Sequence, residues 1–126
     1  MNTKRAALLT LAVLLLSLTA AAHHSGVVYD REHPILLEGT VTLYEFINPH
    51  VRIHFEVKGA DGSVVKWVAV SGPPQTLFRN DGWTKTTLKP GDRIKVLGAP
   101  HREEARVLSV VKIEGDSIPV LTRGAG

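Results

Sequence analysis

The chain has 126 residues, with 15 basic and 12 acidic side chains, 6 histidines and no cysteine. Its length fits one domain, and at 44% hydrophobic and 21% charged residues it can bury a core, which excludes a disordered or low-complexity protein. The missing cysteine excludes a disulfide scaffold, a cysteine zinc ribbon, a thiol nucleophile, an iron–sulfur site and a lipid-anchored N-terminal cysteine.

Met1-Asn2-Thr3-Lys4-Arg5 is a short basic start, and residues 6–18 are apolar. Ala20-Ala21-Ala22 then supplies the small residues that signal peptidase requires. This pattern predicts an export signal over residues 1–22, cut after Ala21 or Ala22, and a mature protein in the periplasm of a Gram-negative cell. The apolar run is short for a bilayer span, so no stable membrane anchor is expected after cleavage. Removing the leader takes away Lys4 and Arg5 and leaves 13 basic against 12 acidic residues. No electrostatic footprint for nucleic acid remains. The only methionine is Met1, so the mature chain holds no sulfur.

The mature domain is predicted to run over residues 23–126. Residues 23–34 read as an irregular lead-in and residues 122–126 as a frayed tail. Residues 35–46 are β-rich, with Gly39 as a bulge or bend. Asn48-Pro49 breaks that strand. Residues 50–57 alternate: Val51, Ile53, Phe55 and Val57 face one way, and His50, Arg52, His54 and Glu56 the other. Residues 59–62 form a hairpin turn, and residues 64–71 a third strand carrying Trp67. A short helix is expected near residues 72–80, started by proline and stopped at Asn80-Asp81-Gly82. Lys89-Pro90-Gly91-Asp92 is a type II turn. Residues 93–97 and 105–113 give two more strands, and residues 117–121 extend or follow the last.

Three meandering strands, a short helix and two strands make the chain order of the OB-fold, an all-β, partly open five-stranded barrel. A β-sandwich is the alternative, but it usually has more strands and no helix at this place. Trp67 and Phe78 are assigned to the core. Trp83, beside Gly82 and a polar stretch, is expected to be exposed.

The chemistry gathers at the mature N-terminus. A cut after Ala22 leaves His23 with both its α-amine and its imidazole, and His24 or a barrel histidine can add a third nitrogen. A cut after Ala21 leaves Ala22-His23-His24, an amino-terminal tripeptide that holds copper or nickel in a square plane. Amine and imidazole nitrogens without thiolate or thioether suit Cu(II) above Ni(II) or Zn(II). The candidate metal residues are therefore His23, His24 and His50, with Asp30 or Glu32 orienting an imidazole. The alternative site is the barrel face around Arg52, His54 and Trp83, taking a small cationic molecule, a glycan or a protein. The 101–104 loop (His101-Arg102-Glu103-Glu104) is at a position where OB-folds contact ligands. No hydrolase, P-loop or dinucleotide signature occurs, so a binding module is favoured over an enzyme, and a redox or hydrolytic metalloenzyme is a third reading.

The combination of His23-His24-Ser25, Tyr29-Asp30, Gly39-Thr40-Val41, Asn48-Pro49-His50, Trp67, Pro74-Gln75-Thr76-Leu77, Gly82-Trp83 and Lys89-Pro90-Gly91-Asp92 resembles a family of small secreted bacterial proteins of unknown function. The resemblance covers nearly all of the mature chain. It implies a periplasmic OB-like domain, and its pattern includes His23, His24 and His50. The 101–105 loop departs from the glycine-containing form usual in that family.

Overall fold

The computed structural model describes residues 28–123. Six strands and one helix follow in the order β1 (Ile35–Glu45), β2 (Arg52–Lys58), β3 (Val64–Val70), α1 (Pro74–Asp81), β4 (Arg93–Pro100), β5 (Val107–Gly115) and β6 (Leu121–Thr122). β1 is long enough to serve two partners. Its first half pairs antiparallel with β4, from Ile35 opposite Gly98 to Thr40 opposite Arg93. Its second half pairs antiparallel with β2, from Thr40 opposite Glu56 to Glu45 opposite Arg52. β2 continues into β3 and β4 into β5, both antiparallel. A parallel pairing of Val68–Val70 with Val107–Ser109 closes the ring. The result is a closed five-stranded barrel of the OB type, with β6 added along β5 and α1 between β3 and β4.

The alternation read in β2 explains the core. Val51, Ile53 and Phe55 are fully buried, while Val57 at the strand's end is half-buried. Val96 of β4 and Leu108 of β5 meet them from the opposite wall. Each such side chain removed from water contributes about 1.5–3 kcal/mol.

Gly39 does not mark the bulge. The register slips between Val41 and Leu43 instead. Gly39 is required for a different reason: a Cβ there would lie 2.5 Å from the Glu56 carbonyl oxygen and 2.8 Å from the Phe55 ring. At the β4 entrance, Gly91 takes a φ of 97° as the type II turn demands. The Asp92 carboxylate accepts the Lys89 N–H at 2.9 Å. That backbone bond, with the Lys89 ammonium at 3.1 Å, holds Asp92 below the usual carboxylate range.

The helix corrects two assignments. Successive helical residues are about 100° apart around the axis, so one short helix seats few of its residues on the barrel. Leu77 points inward and is fully buried, and its neighbour Phe78 is turned out, 60% exposed. Trp83 is not exposed but fully buried. Gly82, with a φ of 71°, turns the chain back under the barrel, and the Trp83 N–H donates to the Leu77 carbonyl at 3.2 Å. The indole then donates its Nε1–H to the Pro119 carbonyl at 3.0 Å and meets the Tyr44 ring edge-on at 6.3 Å. Trp67, as expected, packs against the core and is half-buried.

Of the expected tail, residues 124–126 lie outside the described residues. Leu121 is buried against the core, and the Arg123 guanidinium donates to Asp81 at 2.5 Å. The lead-in is also ordered from Val28 onward. The Arg102 N–H donates to the Val28 carbonyl, and the Asp30 N–H to the Pro100 carbonyl, both at 2.8 Å. These bonds run the lead-in antiparallel along the end of β4, with Tyr29 bridged to His101.

Candidate functional site

Antiparallel register brings three polar side chains to the outer face of β1 and β2. Arg52 and His54 are two residues apart on the polar side of β2, about 7 Å along the strand. Across from them on β1 stand Glu45, opposite Arg52, and Leu43, opposite His54. The slip between Val41 and Leu43 sets this juxtaposition. Glu45 does not pair with Arg52 directly across; its Oε2 lies 2.7 Å from His54 Nε2. Both side chains are 31% exposed. A carboxylate oxygen can only accept, so Nε2 carries the proton in this bond. Arg52 itself is exposed and has no ion-pair partner among the described residues.

His50 sits in the turn before β2, where Asn48–Pro49 is a cis peptide. Its side chain is exposed and makes no hydrogen bond among the described residues. A hollow of about 120 Å³ lies at this turn, lined by Glu45, Ile47, Asn48, Pro49, His50 and Arg52. His50 and His54 therefore flank the same strand end, but only His54 is held in place.

Asp30 serves other groups. It accepts from His33 Nδ1 at 3.1 Å and from Arg102 at 3.3 Å. The His33 hydrogen bond is the main reason that its carboxyl lies below the usual range. Glu32 is exposed, with no side-chain partner among the described residues. Neither orients His50 or His54. Tyr29 packs edge-on against His101. Burial pushes its phenol up, Glu104 adds to that, and the Arg52 and Arg31 guanidinium groups pull the other way.

His101 is a structural histidine. Its Nδ1 accepts the Glu104 N–H at 2.8 Å and the Glu103 N–H at 3.1 Å, and its ring stands edge-on to Tyr29 at 5.1 Å. The 101–104 loop is folded around it. With Trp83 buried, the expected Arg52, His54 and Trp83 face loses its aromatic member. His23 and His24 lie outside the described residues. Among the described residues, no three His, Asp or Glu side chains converge to hold a metal ion.

Sequence reasoning missed Glu45 as the partner of His54. Its only available signal was an acidic residue near the end of β1. The larger cleft of the barrel, about 840 Å³, lies elsewhere, around Gly39 and Gly115. Its outer-face lysines, arginine and carboxylates carry both signs, and Lys95 is already paired with Glu38 at 3.1 Å.

Residues 11–109 match the model of the Family of unknown function (DUF6152). The chain belongs to that family. The DUF6152 match takes in β1 to β4, α1, the Asn48–His50 turn and the first residues of β5. No curated protein matches the chain.

Proposed function

We propose that this DUF6152 protein is an exported OB-type binding module that takes Cu(II) at its mature N-terminus, against the outer face of β2. The 1–22 segment reads as an export signal, and its removal frees an α-amine next to His23 and His24. An α-amine has a pKa of roughly 8 and can lose its proton to a metal. Amine and imidazole nitrogens, with no sulfur in the mature chain, favour Cu(II). The observation that carries the reading is the anchoring of the lead-in. Val28 is bonded to Arg102, and Tyr29 is bridged to His101. His23 is five residues upstream of Val28. An extended chain of that length reaches about 17 Å.

The test uses protein recovered from the periplasm with no tag at its N-terminus. Native mass spectrometry is expected to show a chain beginning at Ala22 or His23 that takes up one Cu(II). A variant lacking both His23 and His24 is expected to lose that uptake. Equal Cu(II) affinity in the two proteins overturns the reading.

A second reading has its own observation. Arg52 stands beside the 120 Å³ hollow with no carboxylate partner among the described residues. Without a metal, the face around Arg52 and His54 would take a glycan or protein group that offers oxygen acceptors to the guanidinium.

A further inference from the structure

We propose that the hollow at the β1–β2 turn takes one carboxylate group on a short apolar stem, with Arg52 as its anchoring cation. The inference rests on the second reading above, from which it takes the Arg52 face, and it needs no metal.

The turn is rich in hydrogen-bond donors. Among the described residues, the backbone N–H groups of Ile47, Asn48 and His50 have no backbone partner. The side chains of Asn48, His50 and Arg52 make no hydrogen bond or ion pair there either. These three residues line the hollow together with Glu45, Ile47 and Pro49. Arg52 brings a positive charge and a planar fork of N–H groups that matches the two oxygens of a carboxylate. Asn48 and His50 can each add a donor. Glu45 is the one carboxylate of the lining, and it is already engaged: its Oε2 accepts from His54 Nε2 at 2.7 Å.

Size and lining narrow the ligand. The hollow holds about 120 Å³, about four times the roughly 30 Å³ that a water molecule occupies in the liquid. That admits a carboxylate with one or two carbons. A larger molecule would enter only by a side group of that kind. Ile47, 52% exposed, and Pro49 give the carbon stem an apolar rim.

The other arginines fit less well. Arg93 lines the 840 Å³ cleft, but Glu38, Glu56, Glu114 and Asp116 line it too and oppose an anion. Arg102 is paired with Asp30, and Arg123 with Asp81. Arg31, Arg79 and Arg106 line neither of these two cavities. Arg52 alone combines an unengaged guanidinium, a hollow of carboxylate size and further donors beside it.

The experiment is a nuclear magnetic resonance titration of the leader-cleaved protein with propionate, with propionamide and glucose as uncharged comparisons. The variants are Arg52→Gln, Glu45→Gln and Arg93→Gln, each checked for native circular dichroism. Propionate is expected to shift the Arg52 Nε–H signal and the Ile47, Asn48 and His50 amide signals saturably. Arg52→Gln is expected to weaken it at least about 10-fold, since a charge-assisted bond is lost. Glu45→Gln removes a like charge from the lining and is expected to tighten propionate about 2–5-fold. Arg93→Gln is expected to change nothing. If Arg93→Gln weakens propionate as much as Arg52→Gln does, the attraction is general to arginine and the inference falls. If propionamide or glucose shifts the Arg52 signal as well as propionate does, the inference falls and the second reading stands. If none of the three probes perturbs Arg52 or His54, the second reading falls with it.

Discussion

At the floor of the barrel Leu77, Trp83 and Leu121 are all 0% exposed, whereas on the outer face of β1 and β2 Glu45 and His54 each keep 31% of their side chains in water. The two regions treat polar atoms differently. At the floor the Trp83 indole donates to Pro119, the Tyr44 hydroxyl donates to Thr84 at 2.9 Å, and Asp81 receives Arg123. These bonds satisfy groups that burial would otherwise penalise. On the outer face, bonding stops halfway. Among the described residues, His54 uses one ring nitrogen and leaves the other without a partner, and Arg52 has no carboxylate partner. The floor is built to hold the fold, and the face keeps spare bonding capacity.

Substitutions can break or sharpen that contrast. The largest effect is expected from Trp83→Ala, which empties the floor and orphans the Pro119 carbonyl. It should cost about 3–5 kcal/mol in urea unfolding, and a loss below about 1 kcal/mol would deny the floor its role. Gly39→Ala comes next. Its Cβ meets the Glu56 carbonyl at 2.5 Å, so the wall must shift, and the cost is about 1–3 kcal/mol. A neutral Gly39→Ala would show that β1 is free to move there.

Tyr44→Phe tests the floor through pH. Burial pushes the Tyr44 phenol well above its ordinary 10.0. The folded state therefore favours the neutral phenol. Its contribution is complete below pH 10 and is lost as pH rises further. Thermal melts should show Tyr44→Phe losing about 1 kcal/mol at neutral pH, from the missing bond to Thr84. They should also show a shallower alkaline decline than the wild type. An unchanged alkaline slope would place the titration elsewhere. The smallest effect belongs to the outer face, where Arg52→Ala should stay within about 0.5 kcal/mol of wild type. A larger loss would mean that the face also holds the fold together.

The same contrast governs what could be read in advance. Alternation around Ile53 and Phe55 identified the inner wall, because burial of apolar area needs no particular partner. Pro74, Gly82 and Gly91 announced the helix and the turn, because their backbone restrictions are local. Trp83 was misassigned because its hydrogen-bond partner, Pro119, comes from a distant segment. Phe78 was misassigned because a stretch this short gives no periodicity to say which side faces inward. The Glu45–His54 pair was hidden for a third reason. A slip of one residue between Val41 and Leu43 decides which β1 side chain meets which β2 side chain, and alternation does not report such slips. His23 and His24 are conspicuous by their place in the sequence alone, which needs no register.

The seam that closes the barrel also sets an order of events. β1–β2–β3 and β4–β5 are made of neighbours in the chain, whereas β1 meets β4, and Val68–Val70 meets Val107–Ser109, from far away in sequence. Such distant closure is slow relative to hairpin formation. Until it happens, Val68, Val70 and Val107 form two apolar edges of unpaired strand. Refolding yield should therefore fall as protein concentration rises, since a second chain can occupy those edges first. The danger to this small barrel is concentrated in the interval before its two distant seams, β1 with β4 and β3 with β5, have paired.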